Sequence, residues 1–257
     1  MAGRSAESVG TVIGSRAVQV GFLLGAVVLW HLATARGSVS PVLLPRPDAV
    51  LRELADVLAT GEFLGDLGVT LGELAAAFAL SAASGLTAGY LVSRSRFWIE
   101  VFEPLLAGAY SIPIILFLPL YVLFFGLGPA SKIALGATIS FFPIAMNTIA
   151  GFSRVESIYI VAARAMGCSE YQLFRRVLVP AALPVIVTGL RMGFTIALLA
   201  ILGSETISSL SGLGHRIVHL AENMHMARMF AYIAFAVAIA VVLNLVATML
   251  EERGKRT

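Results

Sequence analysis

The chain has 257 residues, 58% of them hydrophobic and 13% charged, with a mean hydropathy of +0.91. Water-soluble domains of this size run at roughly 45–50% apolar with about a quarter charged, so a soluble globular protein is excluded. The net charge of +3 comes without a basic patch interleaved with aromatics, which argues against nucleic acid as a partner. A single cysteine, Cys168, leaves no disulfide framework and no multi-cysteine metal site.

The apolar residues gather in blocks of the length, about 20 helical residues, that crosses roughly 30 Å of hydrocarbon. Alternating segments of about ten residues, the mark of a membrane barrel, do not occur. Lipid offers no partner to an unpaired backbone group, so each block reads as a helix and the fold class as all-α integral membrane.

The first block, Ala17–Ala33, has no small-residue cleavage site after it and reads as a retained span rather than a signal peptide. Pro47–Leu58 follows, with Val50, Leu51, Leu54 and Leu58 on one face of an amphipathic helix that rests on the membrane surface or touches an external partner. In the second block, Val69–Val92, Glu73, Ala77, Ser81, Gly85 and Gly89 recur every fourth position, a stripe that lets another helix approach closely. The third and fourth blocks, Pro104–Leu127 and Ile133–Phe152, carry Pro113, Pro119 and Pro143, which kink helices and free carbonyls for packing or for lining a pathway. Ala181–Leu202 is the fifth; its Arg191 either snorkels to the interface or approaches a translocated anion. Phe230–Leu250 is the sixth.

Glu73 and Glu205 are the acids nearest the apolar blocks, and both are expected at outer span ends, within reach of water. In the polar stretch Ser204–Arg228, His215 and His219 share a helical face, but no second ligand cluster accompanies them. They read as ordinary solvent-facing histidines or as contact with an external protein.

Lys and Arg residues set the orientation. Twelve fall on the side of the N-terminus, against six on the other: Arg36, Arg46, Arg52, Lys132, Arg216 and Arg228. Six spans with this bias place both termini in the cytoplasm. The expected organisation is an N-terminal segment over 1–68, a five-span core over 69–250 and a tail over 251–257.

Between the fourth and fifth spans lies the polar segment Val161–Pro180. The spacing predicts a helix over Ser157–Met166 closed by Gly167, which supplies the left-handed conformation of a helix end. A second helix opens at Ser169, with Gln172 completing a capping box, and stops before Pro180. Ala162 and Ala163 give the first helix a smooth face fit for another protein's groove. Arg164, Arg175 and Arg176 surround it with positive charge, which would also serve simply to fix topology.

This segment resembles the E-A-A, three residues, G, nine residues, I-x-L-P signature of the permeases of binding-protein-dependent ABC importers. Ala162, Ala163, Gly167 and Pro180 fall at matching positions, Val177 and Val179 replace the two aliphatics, and Val161 stands in place of the Glu. Ser111-Ile112-Pro113, Phe124-Phe125-Gly126-Leu127-Gly128, Phe141-Phe142-Pro143, Gln172-Leu173-Phe174-Arg175-Arg176 and Gly212-Leu213-Gly214 are similar to the aliphatic sulfonate, taurine and nitrate branch.

The resemblance implies a type I ABC importer permease fold with six transmembrane helices, in a bacterial inner membrane. It also implies two ATPase subunits, a second permease copy and an external solute-binding protein as partners. Val161, Ala162, Ala163, Arg164, Gly167, Ser169, Gln172 and Pro180 would form the ATPase-coupling segment, and Pro113, Pro143 and Arg191 would line the pathway of a small anionic solute such as a sulfonate or nitrate. No phosphate-cradling Gly-x-x-x-x-Gly-Lys-Ser/Thr stretch occurs, so no cofactor is expected here and ATP belongs to the partners. An ion-gradient-driven secondary transporter is the rival reading. It calls for intramembrane acids and an internal repeat, whereas Asp48, Asp56 and Asp66 all fall in an outer loop and no repeat is seen.

Overall fold

A computed structural model describes residues 18, 21–22, 24–36, 40 and 43–254, and every regular element among them is helical. In chain order these are α1 (Leu24–Ala35), α2 (Pro47–Thr60), α3 (Phe63–Ser93), α4 (Arg96–Tyr110), α5 (Leu118–Phe125), α6 (Pro129–Ser153), α7 (Ser157–Ala165), α8 (Glu170–Leu173), α9 (Val179–Ile207), α10 (Leu213–Glu222) and α11 (Met226–Gly254).

Four helices are long and apolar enough to cross a membrane: α3, α6, the continuous Glu170–Ile207 and Met226–Met249. A fifth span is reached if α4 and Ile114–Phe125, which meet at 70°, count as one. The expected six are therefore not reached among the described residues. The expected first span begins outside the described residues, and α1 is too short to cross alone. The expected span Pro104–Leu127, in which the prolines predict a kink, is broken outright at Ser111–Pro113, because Pro113 lacks an N–H and disfavours helix in the residue before it.

The described chain packs as two units, Met1–Glu62 with Ile217–Ala234, and Phe63–Arg216 with Phe235–Thr257. Within the first, Trp30 Nε1 donates to the Pro45 carbonyl at 3.0 Å, and its ring lies 6.1 Å from that of Phe230. Arg228 reaches Glu62 at 2.8 Å, Asp56 at 3.4 Å and Glu53 at 3.6 Å. Helix α2 opens on Pro47 and closes on Gly61 at φ 65°. It buries Val50 and Val57, while Leu51 and Leu58 stay exposed, which corrects the expected face. Arg52, hydrogen-bonded to Asp48 one turn back, holds that carboxyl below the usual carboxylate range.

In the second unit α6 lies between α3 and α9. The predicted stripe of α3 is buried at Glu73, Ala77, Ser81, Gly85 and Gly89. A methyl group added at Gly89 would lie 2.6 Å from Thr148 Cβ and 2.8 Å from the Ala145 carbonyl oxygen of α6. From α9, methyls at Gly189 and Gly193 would meet Asn147 and Ile144 at 2.5 Å. Helix α6 is thus gripped between two glycine faces, at separations that only glycine allows.

Gly89→Ala should cost about 1–3 kcal/mol, because backbone as well as side chain must give way. Gly68→Ala, at a position with open space around it, should melt like wild type in detergent. Equal melting of the two variants would show that the α3–α6 contact is not close.

Candidate functional site

The segment between α6 and α9 is built from local backbone chemistry. Gly167 stands at φ +79°, its N–H donates to the Arg164 carbonyl at 3.0 Å, and the Cys168 N–H donates to Ala163 at 3.1 Å. This pair of bonds is the Schellman closure that the sequence anticipates for α7. Two residues on, the Ser169 N–H donates to Gln172 Oε1 at 2.9 Å and the Gln172 N–H donates to Ser169 Oγ at 3.3 Å, the reciprocal capping box.

The second helix does not stop before Pro180, as expected. It passes through a π-helical turn, Phe174–Leu178, in which the Val179 N–H bonds five residues back to Phe174, and runs on as α9 with Pro180 in its first turn. The wider turn absorbs the missing donor and the ring of the proline. The hairpin therefore feeds directly into the 38-residue helix Glu170–Ile207.

Ala162 and Ala163 do not share a face. Ala163 is buried within its own chain, whereas Ala162 is exposed. The outward surface of α7 is apolar beyond alanine: Ile158, Tyr159, Val161 and, just past its end, Met166 are 56–77% exposed. Arg164 pairs with Glu170 at 3.1 Å, and Arg175 donates to the Tyr171 hydroxyl at 3.4 Å.

The three residues expected along a pathway are not brought together. Pro113 sits exposed at the α4–α5 break. Pro143 is buried inside α6, its carbonyl accepting from Asn147 Nδ2 at 2.8 Å. Arg191 is committed to Glu251, at 2.6 Å, and Glu251 also accepts from Thr188 at 2.7 Å. Glu251 lies in α11, which continues to Gly254 and so takes in the start of the expected tail.

A second buried polar group corrects the expectation that Glu73 and Glu205 reach water. Glu73 and Lys132, 2% and 1% exposed, pair at 2.7 Å, and Lys132 also donates to Ser209 Oγ at 2.6 Å. Glu205, 1% exposed, accepts from Thr70 Oγ1 at 2.7 Å and from the Gly214 N–H at 2.8 Å. The turn after α9 folds over these groups; a methyl on Gly212, at φ +104°, would strike the Glu205 carboxylate. Lys132, expected in an outer loop, is inside the helix packing. A charge at a span edge signals the need for a partner, and the sequence does not reveal which residue answers it.

Apolar spans interrupted by a capped polar hairpin define a multi-pass, all-α membrane protein. Residues 77–256 match the family model described as the binding-protein-dependent transport system inner membrane component. A Bacillus subtilis protein named as an aliphatic sulfonates transport permease, SsuC, is 33% identical over 84% of this chain and 80% of its own length. The taurine transport system permease TauC of Escherichia coli is 29% identical over 92% and 88%, and the formylaminopyrimidine transport permease ThiX of Halalkalibacterium halodurans is 34% identical over 76% and 77%. Among solved structures, an inward-facing MetNI methionine ABC transporter aligns with TM-score 0.62 at 19% identity, over 74% of this chain and 93% of that one. An amino acid ABC transporter aligns with TM-score 0.62 at 22% identity, over 79% and 97%.

The chain belongs to the family of binding-protein-dependent transport system inner membrane components. It is a permease subunit of an ABC importer, working with ATPase and solute-binding partners.

Proposed function

We propose that this permease forms, with a second copy of itself, the pathway for a small anionic solute of the sulfonate class. Two ATPase subunits seat on α7, and a solute-binding protein delivers from the opposite side. The observation that carries the coupling role is the exposed apolar face Ile158, Tyr159, Val161 and Ala162, held on a hairpin capped at both turns. An apolar patch on a segment between spans marks a protein contact. The matched residues Val161, Ala162, Ala163, Arg164, Gly167, Ser169, Gln172 and Pro180 then divide by task. Val161 and Ala162 touch the ATPase, Ala163 seats α7 on its own chain, and Gly167, Ser169 and Gln172 set the hairpin angle. Arg164 ties the hairpin's two arms through Glu170, and Pro180 lies just past the π turn in the long helix that carries the motion inward.

The break at Ser111–Pro113 supports the second copy. Non-helical backbone at membrane depth must be covered by protein or line water, since lipid cannot satisfy it. Ile112 and Leu116 beside it are 50% and 72% exposed in the single chain. ATP hydrolysis belongs to the partners, and both termini lie in the cytoplasm, following the excess of Lys and Arg on that side.

The solute class follows from the sulfonate and taurine relatives, and its selection falls mainly to the binding protein. Lys132 and Arg191, the cations inside the apolar blocks, are each tied to a carboxylate. Thermal-shift screening of the cognate binding protein is expected to give its largest stabilisation with taurine or alkanesulfonates, followed by ATP-dependent uptake of the same compound into vesicles. Stabilisation by a neutral pyrimidine alone would overturn the anion assignment.

A further inference from the structure

On the side of α7 turned away from its exposed apolar face, the hairpin and the ends of α3 and α6 enclose a cavity of about 370 Å³. Ser93 and Arg94 line it at the end of α3, Arg164 on α7 and Glu170 on α8. Its apolar side is an aromatic cluster in which the Tyr90 ring lies 4.9 Å from Phe174 and 5.2 Å from Phe152. Of the larger cavities along the spans, two have apolar walls but for Tyr121 and Thr138, and the charges of the third, Arg191 and Glu251, are paired with each other.

The charge balance of this cavity favours an anion. Arg164 and Glu170 answer one another at 3.1 Å. The Arg94 guanidinium makes no hydrogen bond or ion pair among the described residues, and neither does the Tyr90 hydroxyl. In the sequence, Arg175 and Arg176 follow the lining Phe174 and Arg154 lies two residues from the lining Phe152, against Glu156. The field at the cavity mouth is therefore positive.

The site also has a definite place along the chain's spans. Ser93 ends the span α3, and Glu170 opens the long helix ahead of its apolar block Ala181–Leu202, so the cavity lies at the polar end of the bundle, beside the end of a span.

We propose that this cavity binds a phosphate group, with Arg94 and Arg164 holding its oxygens and the Tyr90 hydroxyl donating a third bond. A planar guanidinium matches phosphate geometry, and such charge-assisted bonds are about twice as strong as neutral ones. The source is an anionic phospholipid headgroup or free phosphate; the apolar side and the closeness to the end of the span α3 favour the lipid. Bound there, the phosphate would bridge the end of α3 to α7 and stiffen the hairpin on the bundle. That consequence for transport rests on reading α7 as the ATPase-coupling helix; the binding itself does not.

The test uses the whole transporter, with ATPase and binding protein, in nanodiscs of phosphatidylcholine with or without phosphatidylglycerol, and in pure phosphatidylcholine with added inorganic phosphate. Native mass spectrometry should show phosphatidylglycerol retained by wild type and retained at least about tenfold less by Arg94→Gln, the loss of one charge-assisted bond. Arg94 is exposed, so this variant should fold; Tyr90→Phe keeps the ring packing and should weaken retention less. Free phosphate is the ligand if it alone activates wild type and that activation is lost in Arg94→Gln. Retention that depends on Arg94 without any change in coupled ATPase activity would keep the site and remove the stiffening of the hairpin, leaving the coupling role of α7 to its own test. Equal responses of wild type and Arg94→Gln to both additions would overturn the proposal.

Discussion

Lys132→Met should destabilise the permease by about 3–5 kcal/mol, while Lys132→Met combined with Glu73→Met should recover most of that loss. The asymmetry follows from burial. Glu73 and Lys132 are 2% and 1% exposed and pair at 2.7 Å, so removing the lysine leaves a carboxylate with neither water nor a counter-ion. Glu205, 1% exposed and part of the same group, aggravates the excess of negative charge. Removing both charges takes away the desolvation cost along with the attraction, and an apolar pair of similar volume is then close to neutral. Ser209 loses its lysine donor in either variant but still donates to the Ser211 carbonyl at 2.6 Å, so the turn above the site keeps an anchor. Thermal unfolding in detergent, with surface expression as a second readout, checks the prediction. A single variant that melts together with the double variant would show that the two charges are not coupled.

What the sequence revealed and what it hid divide along the range of the interactions. Gly167, Ser169 and Gln172 were legible because their bonds run to residues within four positions, and the chemistry of left-handed glycine and of a capping box is local. The stripe from Glu73 to Gly89 was legible for a related reason: a period of four fixes which residues share a helix face, whatever lies opposite. Its partners on α6, Ile144 and Thr148, come from another part of the chain, and no local pattern names them.

Prolines show the limit most clearly. Pro113 breaks its helix by 70°, while Pro180 lies within a helix that continues through a π turn. Both lack the same N–H, and the packing around each decides whether the chain bends or widens. Ala162 and Ala163 show how adjacency misleads, since neighbours on a helix point about 100° apart, and here that turn carries Ala163 into the packing while Ala162 stays outside. The charge pairs were hidden altogether: Arg191 and Glu251 are 60 positions apart, and nothing in either segment announces the other.

Gly167→Val is expected to abolish most coupled transport while leaving insertion and expression close to wild type. The residue stands at φ +79° with no atom within 4 Å of an added Cβ, so the cost is backbone strain rather than collision. A non-glycine residue pays about 1–2 kcal/mol there, and a β-branched one stands at the upper end. Spread over the folded permease that loss is small. At the hairpin it falls on the Schellman bonds that close α7, and the chain relieves it by letting Gly167 and Cys168 abandon them. The aim of Ile158, Val161 and Ala162 toward the ATPase then changes. If about 2 kcal/mol favours the altered hairpin, the coupling-competent population falls roughly thirtyfold, and the transport rate with it. Gly167→Asn, which tolerates the left-handed conformation, should retain most of the activity and so separates backbone geometry from loss of a small residue. Stimulation of the ATPase by loaded binding protein should fall in step with uptake in the valine variant. Normal uptake by Gly167→Val at normal expression would mean that the hairpin angle does not set coupling, and the division of tasks along Val161–Pro180 would have to be redrawn.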